Sequence, residues 1–296
     1  MRNTKENQIS ALARFFSSSV INEMAKNGNS PLLTKLISES NIINDLSGDF
    51  LISDLYESAF SILKLRRNRN EYIYKAALTN KILLGVHSLK TASMMTEFRV
   101  GKCIADLVIL NGTSTVYEIK SERDNLSKLE TQVKEYMKIF AKVNVIVGEN
   151  HLKNVKNILP NEIGISVLSD RHQISTFRDA TENAKRTNTE DIFEAIQLKE
   201  VKLILEGYGE IIPKIPNTKL YKVLRELFLQ LDSESAHIGM VNVLKQTRNL
   251  VSLQDLVDEL PASLQVAILS SSIRKQDFGN LISAINTPIN DAITWA

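Results

Sequence analysis

The sequence predicts an α/β protein in which helices flank a mixed central sheet, and three observations support this. A strongly apolar run at 104–110 has the composition of a buried strand. Asn111-Gly112 follows it and is a strong hairpin signal, so the chain should return antiparallel beside the first strand. Strand-like runs at 143–147 and 163–168 then alternate with helical stretches. Such alternation is typical of parallel strands added to the initial hairpin.

The composition is that of an ordinary globular protein. Of the 296 residues, 43% are hydrophobic and 24% are charged. The first residues lack a signal-peptide apolar region and no apolar run reaches the length of a membrane span, so we expect a cytoplasmic protein without membrane contact. The single cysteine, Cys103, excludes an intrachain disulfide and a cysteine-based zinc cluster. A formal net charge of +2 predicts no strong overall attraction to nucleic acid, so any such contact must come from local basic patches.

The pattern along the chain predicts four regions. Residues 1–63 show apolar residues at helical spacing and form a helical N-terminal region. Residues 64–170 form the α/β core, and the polar, weakly patterned stretch 171–189 is expected to be a linker. Residues 190–296 are helical again. This last region would pack on the core or on another chain, which leaves a homo-oligomer or a protein partner open.

Two carboxylates and an ammonium are expected to meet on the predicted hairpin. Asp106 interrupts the apolar first strand, where an unbound carboxylate would be costly. In the second strand, the period of two places Glu118 and Lys120 on one face. The hairpin would carry Asp106 back towards Glu118. One interpretation is a metal site, and the alternative is a buried Asp106–Lys120 salt bridge in an ordinary sheet.

The metal interpretation has a defined chemistry. Neighbouring carboxylates repel each other, and a hard cation such as Mg²⁺ or Mn²⁺ removes that repulsion. Asp106, Glu118 and the Ile119 carbonyl would hold the cation, which would polarise a phosphodiester and lower the pKa of an attacking water. Lys120 would orient that water or stabilise charge on the phosphate.

These residues resemble the signature of a known superfamily. Asp106 followed by Glu118-Ile119-Lys120 is similar to the D…(D/E)xK motif of the PD-(D/E)XK nucleases, whose core is restriction-endonuclease-like. Gln132 and Tyr136 resemble the QxxxY motif of RecB-type exonuclease domains. The amino-acid sequence around the motifs also resembles a little-characterised bacterial, prophage-associated group of this superfamily, and the resemblance covers about residues 65–169. Gly101 departs from the RecB-type pattern, because it lies one residue farther from the aspartate than usual.

The resemblance implies a role for several further residues. Glu71, at the start of a predicted helix, would join the catalytic and metal-binding set. The implied catalytic residues are Asp106, Glu118, Lys120 and Glu71, and the implied metal ligands are Asp106, Glu118 and Glu71. The implied substrate contacts are Gln132, Tyr136, Arg69 and Arg99. For Gln132 and Tyr136 an alternative stays open, in which the tyrosine packs in the core and the glutamine satisfies a backbone group.

The sequence therefore leads to a Mg²⁺- or Mn²⁺-dependent nuclease acting on nucleic acid, with DNA the expected substrate, in a mobile-element or phage-defence context. A dense basic cluster just before Glu71 is a candidate for phosphate contact. Its members are Lys64, Arg66, Arg67 and Arg69. The main alternative is a catalytically silent module that binds nucleic acid or protein on a nuclease-like scaffold. A third possibility is a nuclease that acts only beside a protein partner.

Overall fold

The computed structural model describes residues 2–45 and 50–295 and confirms the α/β class, with a six-stranded mixed sheet flanked by helices. The strands are β1 (Ser93–Val100), β2 (Cys103–Leu110), β3 (Ser114–Lys120), β4 (Lys142–Gly148), β5 (Gly164–Leu168) and β6 (Ile174–Arg178). The helices that precede the sheet are α1 (Arg2–Phe15), α2 (Ser18–Asn27), α3 (Pro31–Ser40), α4 (Ile52–Lys64), α5 (Glu71–Leu78) and α6 (Leu84–Val86). A π-helical turn at Thr79–Leu83 joins α5 to α6.

The remaining helices are interspersed with the later strands or follow them. Those from the middle of the chain are α7 (Leu129–Met137), α8 (Leu152–Ile158), α9 (Thr189–Ala195), α10 (Leu198–Gly207), α11 (Asn217–Phe228) and α12 (Ser233–Thr247). Those near the end are α13 (Gln254–Glu259), α14 (Gln265–Leu269), α15 (Phe278–Ile285) and α16 (Ile289–Ala292). No helix of the described residues combines the length and the apolar character needed to cross a bilayer.

The chain divides into two units that do not follow the four predicted regions in order. The helical unit comprises Met1–Gly85, Asp170–His172 and Leu250–Ala296. The sheet unit comprises Val86–Ser169 and Gln173–Asn249. The predicted C-terminal region is therefore shared between both units. The predicted linker 171–189 is also corrected, because it contains β6 and a 3₁₀ turn.

The sheet has the predicted hairpin and the predicted parallel additions. Its strand order is β1-β2-β3-β4-β5-β6, in which β3–β4 and β4–β5 are parallel and the other neighbours antiparallel. The hairpin loop is one residue longer than the two-residue signal suggests, because Leu110 pairs with Ser114. Gly112 adopts a φ of +104° in this loop, a conformation that strongly favours glycine.

The core of the sheet unit lies between one face of the sheet and the helices that cover it. Alternate strand residues point into this core, as in Val143, Val145 and Val147 of β4. Helix α7 contributes Leu129, Val133 and Tyr136 to the same cluster. Helices α10 and α12 pack against each other and extend the cluster, together with α9 and α11. This packing fixes α7 against β2 and β4, which positions its polar residues over β3.

The helical unit is assembled from both ends of the chain. Helices α14 and α15 pack on α2, and α16 packs on α4. The Thr34 hydroxyl donates to the Ala292 carbonyl at 2.9 Å, and the Ile289 amide donates to the Phe50 carbonyl at 2.8 Å. The Tyr72 hydroxyl donates to the Ser263 carbonyl. These contacts join positions that are about two hundred or more residues apart in sequence, so α1–α5 share one core with α13–α16.

Candidate active site

The β2–β3 ladder ends at the position of Asp106. Backbone pairing runs from Leu110↔Ser114 to Leu107↔Tyr117, and the next residues in that register would be Asp106 and Glu118. The Asp106 carboxylate instead accepts a hydrogen bond through Oδ2 from the Ile119 amide at 2.7 Å. A side-chain oxygen therefore takes the place of a strand carbonyl, and the two backbones no longer pair with each other. Asp106 is half-buried at this split.

Strand β1, the other neighbour of β2, has an unusual backbone near this level. Glu97 lies between the register pairs Thr96↔Leu107 and Phe98↔Ala105. Glu97 has a φ of +55°, which is strained for a residue other than glycine. Asp106 thus lies at the end of the β2–β3 ladder and close to a strained residue of β1. The sequence showed the carboxylate in an apolar strand but not the strained backbone of Glu97.

Glu118 is buried and receives three hydrogen bonds. Its carboxylate is 1% exposed. Oε1 accepts from Lys120 Nζ at 2.6 Å and from the Gln132 amide, and Oε2 accepts from the Tyr136 hydroxyl at 2.7 Å. Burial raises the pKa of the Glu118 carboxyl, while the Lys120 charge and the three hydrogen bonds act to lower it.

Lys120 and Gln132 hold each other in place. The Lys120 side chain is 12% exposed, so its ammonium lies near the surface of the site without being fully solvated. Nζ donates to Glu118 and, at 3.0 Å, to Gln132 Oε1. The Gln132 amide donates through Nε2 to Glu118. These two bonds use both ends of the amide and therefore set its orientation.

Tyr136 is a brace rather than the substrate contact that the motif implies. Its side chain is 0% exposed, so it cannot reach a strand of nucleic acid. The hydroxyl lies 2.7 Å from Glu118 Oε2 and 2.8 Å from the Ile104 carbonyl, which links β3 to β2 beyond the split. Burial first, and then the neighbouring Glu118 charge, raises the pKa of Tyr136, so the hydroxyl keeps its proton. The structure places Tyr136 in the core, as the alternative expects, whereas Gln132 bonds to side chains and not to the backbone group that the alternative gives it.

Simple periodicities place these groups together. On β3 the period of two brings Glu118 and Lys120 to the same face. On α7 the spacing of four places Gln132 and Tyr136 one turn apart. Because Leu129 and Val133 bury the same side of α7, both polar residues face β3. The structure therefore brings four of the eight predicted site residues into one hydrogen-bonded cluster, with Asp106 attached through the Ile119 amide.

The other predicted residues lie elsewhere in their units. Arg99 is exposed on β1, opposite Ile104 in the register. Glu71 and Arg69 belong to the helical unit. Glu71 lies in the first turn of α5 and forms an ion pair with Lys75 at 2.5 Å. Arg69 is 2% exposed, and its Nε donates to the Lys64 carbonyl at 3.0 Å. The catalytic role of Glu71 and the substrate contacts of Arg69 and Arg99 stay predictions.

The donor set of the site fits Mg²⁺ or Mn²⁺. Asp106, Glu118 and the Ile119 carbonyl offer the oxygen ligands that hard cations prefer. No group of three or more His, Cys, Asp or Glu residues suited to a metal occurs in the described ranges 2–45 and 50–295. Mg²⁺ commonly takes only one or two protein carboxylates and completes its shell with water and substrate phosphate. Asp106 and Glu118 are therefore the carboxylates that could hold such a cation here.

Fold and site together define a class of protein, namely an α/β protein with a carboxylate–lysine–glutamine–tyrosine cluster where two strands of a mixed sheet separate. The chain belongs to the bacteriophage P4 protein cII family, whose model matches residues 65–272 and so includes the whole cluster. It is 26% identical over 143 residues to "Protein cII" of Enterobacteria phage P4, a match that covers 47% of this chain and 50% of the relative. The chain thus spans about half the length of that curated relative. No solved structure matches.

Proposed function

We propose that the protein is a metal-dependent nuclease that hydrolyses phosphodiester bonds in DNA, with Mg²⁺ or Mn²⁺ as its cofactor. The observation that supports this most is the placement of Asp106 at the split between β2 and β3. Its carboxylate binds the amide of Ile119, which lies between Glu118 and Lys120 in the sequence. Two carboxylates and an ammonium therefore flank one short stretch of strand, as in the PD-(D/E)XK signature that the sequence resembles.

Each residue of the cluster has a distinct part in this proposal. Asp106 and Glu118 would hold the cation, which supplies a Lewis acid that polarises the phosphodiester. The hydrogen bond from Ile119 fixes the Asp106 carboxylate before any ligand arrives. Lys120 positions the attacking water or stabilises negative charge on the phosphate, and Gln132 holds the ammonium in place for this task. Tyr136 fixes the Glu118 carboxylate from the buried side.

Three further residues complete the proposal. On the sequence resemblance alone, we propose Glu71 as a further metal ligand and Arg69 as a further substrate contact. Arg99, exposed on β1, would contact a backbone phosphate. Membership of a phage protein family is compatible with action on phage or prophage DNA. We therefore propose DNA processing or defence in a mobile-element setting as the biological context.

The proposal is tested by an endpoint and time-course assay of the purified chain. The substrates are linear duplex, circular duplex and single-stranded DNA, together with RNA, each in Mg²⁺, Mn²⁺ or chelator. We expect cleavage of DNA that requires the divalent cation. Lys120→Ala should lower the rate at least about 100-fold, because it removes a charge placed to act in the transition state. Circular dichroism should show that this variant keeps the native fold.

Lys153→Ala is the matched control, because Lys153 is an exposed lysine on α8 of the same unit. It should cleave at the wild-type rate. Full activity of Lys120→Ala would remove the proposed mechanism. DNA that is bound but stays intact with every cation would also contradict the nuclease proposal and favour a catalytically silent binding module. Calorimetric titration of Mn²⁺ into the Asp106→Ala variant gives a second readout, since loss of the carboxylate should weaken binding of the cation.

A further inference from the structure

A cavity in the helical unit is built largely from basic side chains. Its volume is about 430 Å³. It lies where α4 ends and a 3₁₀ turn begins, beside the short segment Asp170–His172 that belongs to the same unit. The residues that line it are Ser61, Lys64, Leu65, Arg66, Asp170, Arg171 and His172. No residue of the proposed active site is among them.

The charges around this cavity favour an anion. Three of its lining residues are cations, Lys64, Arg66 and Arg171, and Asp170 is its one carboxylate. Asp170 pairs with Arg66 at a distance of 3.6 Å, and both side chains remain about half exposed. Lys64 Nζ lies 5.7 Å from the centre of the Phe60 ring. Arg171 is exposed. A concave wall of low dielectric concentrates the field of such charges on whatever enters.

His172 fixes the geometry of the cavity without adding charge to it. It adopts a φ of +57°, a conformation that costs free energy for a residue other than glycine. Its ring packs edge-on against Phe60 with 6.0 Å between ring centroids. Burial, assisted by the nearby Lys64 charge, lowers the pKa of His172 to about 4, so the ring is neutral at pH 7. The positive charge of the cavity therefore comes from Lys64, Arg66 and Arg171.

We propose that this cavity binds a backbone phosphate of nucleic acid. An arginine guanidinium matches two phosphate oxygens at once, and a lysine ammonium adds a compact point charge. The inference deepens the proposed nuclease function, because it gives the helical unit a sequence-independent contact with the substrate. It rests on that function only for the choice of nucleic acid as the ligand. Binding in the presence of chelator requires no cleavage, so the two proposals can fail separately.

The test uses the full chain and a short fluorescently labelled DNA duplex, with binding followed by anisotropy in chelator over a range of salt concentrations. The variant Lys64→Gln/Arg171→Gln removes two cations from the cavity, and Arg171→Gln alone removes one from an exposed position. Each phosphate contact contributes about 0.9 to the slope of log affinity against log salt, so the double variant should have a slope shallower by about two. At low salt it should bind at least about tenfold more weakly.

The control Lys35→Gln/Lys275→Gln removes two exposed cations from other parts of the same unit and should bind like the wild type. An unchanged slope in the cavity variant, or an equal loss in the control, would overturn the inference. Failure of the wild type to bind the duplex would overturn it as well. A chain that binds DNA through the cavity but never cleaves it would contradict the nuclease proposal and leave this inference standing. A chain that cleaves DNA but whose DNA binding is unchanged in the cavity variant would support the nuclease proposal and overturn this inference.

Discussion

The Tyr136 hydroxyl connects β3 to its neighbour β2. Its single hydroxyl hydrogen is shared between Glu118 Oε2 and the Ile104 carbonyl, so one donor contacts both β3 and β2. A buried acceptor that loses its partner keeps the cost of its desolvation. The residue therefore contributes to stability as well as to the orientation of Glu118.

Tyr136→Phe should lower the free energy of unfolding by about 1–3 kcal/mol, because it removes the donor to Oε2 of the buried Glu118 carboxylate and to the Ile104 carbonyl. If the chain has the proposed nuclease activity, the substitution should lower it as well, because Glu118 loses a hydrogen bond that orients its carboxylate. Urea unfolding followed by circular dichroism measures the first effect. Tyr117→Phe is the matched control, since Tyr117 is also buried but its hydroxyl has no hydrogen bond to another residue of the described chain. Equal stability losses in the two variants would refute the bracing role.

His237 makes the sheet unit sensitive to acid. It is 3% exposed, and its Nε2 lies 2.7 Å from the Ser114 hydroxyl. That hydroxyl already accepts from the Ala141 amide, so its own hydrogen is available for Nε2 of a neutral imidazole. Burial lowers the pKa of His237 to about 4, against the opposing influence of Glu182 and Glu234. The unfolded chain takes up a proton near the ordinary histidine pKa, so it is favoured as the pH falls below that value.

The wild type should therefore lose about 2 kcal/mol of stability through His237 when the pH falls from about 7 to about 5. The loss should begin near the ordinary histidine pKa and continue towards the lowered pKa of the folded state. His237→Gln should show a smaller loss over the same range, because it has no group to protonate there. Urea midpoints at the two pH values, compared between the variants, measure the difference. A pH dependence that is identical in the two proteins would contradict this assignment.

At the residue scale, the sequence predicts which side chains come together better than it predicts how deeply each of them is buried. Asp106 was identifiable because a carboxylate in an apolar strand needs a partner, and Glu118 and Lys120 because they share a strand face. The role of Tyr136 was not predictable in the same way. A helical spacing shows which face a side chain occupies, but not whether another strand covers it. The positive φ of Glu97 is a backbone conformation that no residue-type pattern at this position indicates.

At the element scale, the close packing of α10 against α12 depends on a glycine, which has no side chain. Gly239 lies in the middle of α12 and is buried. A methyl group at this position would lie 2.6 Å from Ile204 Cγ2 and 3.3 Å from the Tyr208 ring. Ile204 is itself 2% exposed and has little room to move. The close approach of the two helices therefore requires glycine here.

Gly239→Ala should destabilise the protein by about 1–3 kcal/mol, because α10 and α12 must separate or Ile204 must leave its position. This is opposite to the usual gain of about 1 kcal/mol for replacing glycine by alanine inside a helix. Gly279→Ala supplies the control, since that glycine of α15 has no atom within 4 Å of the added methyl group. It should be neutral or stabilising. Thermal denaturation of both variants decides the matter, and a stabilised Gly239→Ala would contradict the packing argument.

Elements with a strong pattern were predictable, and weakly patterned ones were not. The β2–β3 hairpin and the parallel strands β4 and β5 follow from apolar runs and a turn signal. Strand β6 has exposed residues in its centre, so its sequence resembles a linker. The helical stretch near 192–205 is divided into α9 and α10, because the Glu200 carboxylate accepts from the Gln197 amide and starts a new helix. Such local capping is visible in sequence only after the division is known.

At the scale of the whole molecule, the helical unit requires two distant parts of the chain. Helices α1–α5 bury their apolar faces partly against α13–α16. The sheet unit has its own core, all of whose members lie between Met95 and Leu244. A chain that stops after Asn249 should therefore keep the sheet unit and lose the order of the N-terminal helices. Limited proteolysis should degrade that chain up to about residue 85 and spare the remainder, whereas N-terminal helices as resistant as those of the full chain would contradict the prediction.

The pairing of the two chain ends could not be predicted from the sequence. Amphipathic helices such as α2 and α15 show that a partner is needed, but many apolar faces in the same chain could satisfy either of them. Which helices pair is determined by their shapes and by contacts between residues far apart in sequence. Composition and periodicity do not predict such contacts. The four regions predicted from the linear pattern therefore gave the right kinds of element and the wrong grouping.

This arrangement of the helical unit also sets an order of events on the ribosome. Helices α1–α5 leave the exit tunnel before the sheet unit, yet the surface that covers them is translated after it. The residues of the sheet unit are all synthesised in the interval, and domains generally fold as units during synthesis. The nascent chain must therefore carry exposed apolar helices until α13–α16 have been synthesised, and chaperone capture should concentrate on residues before 86 in chains stalled before that point.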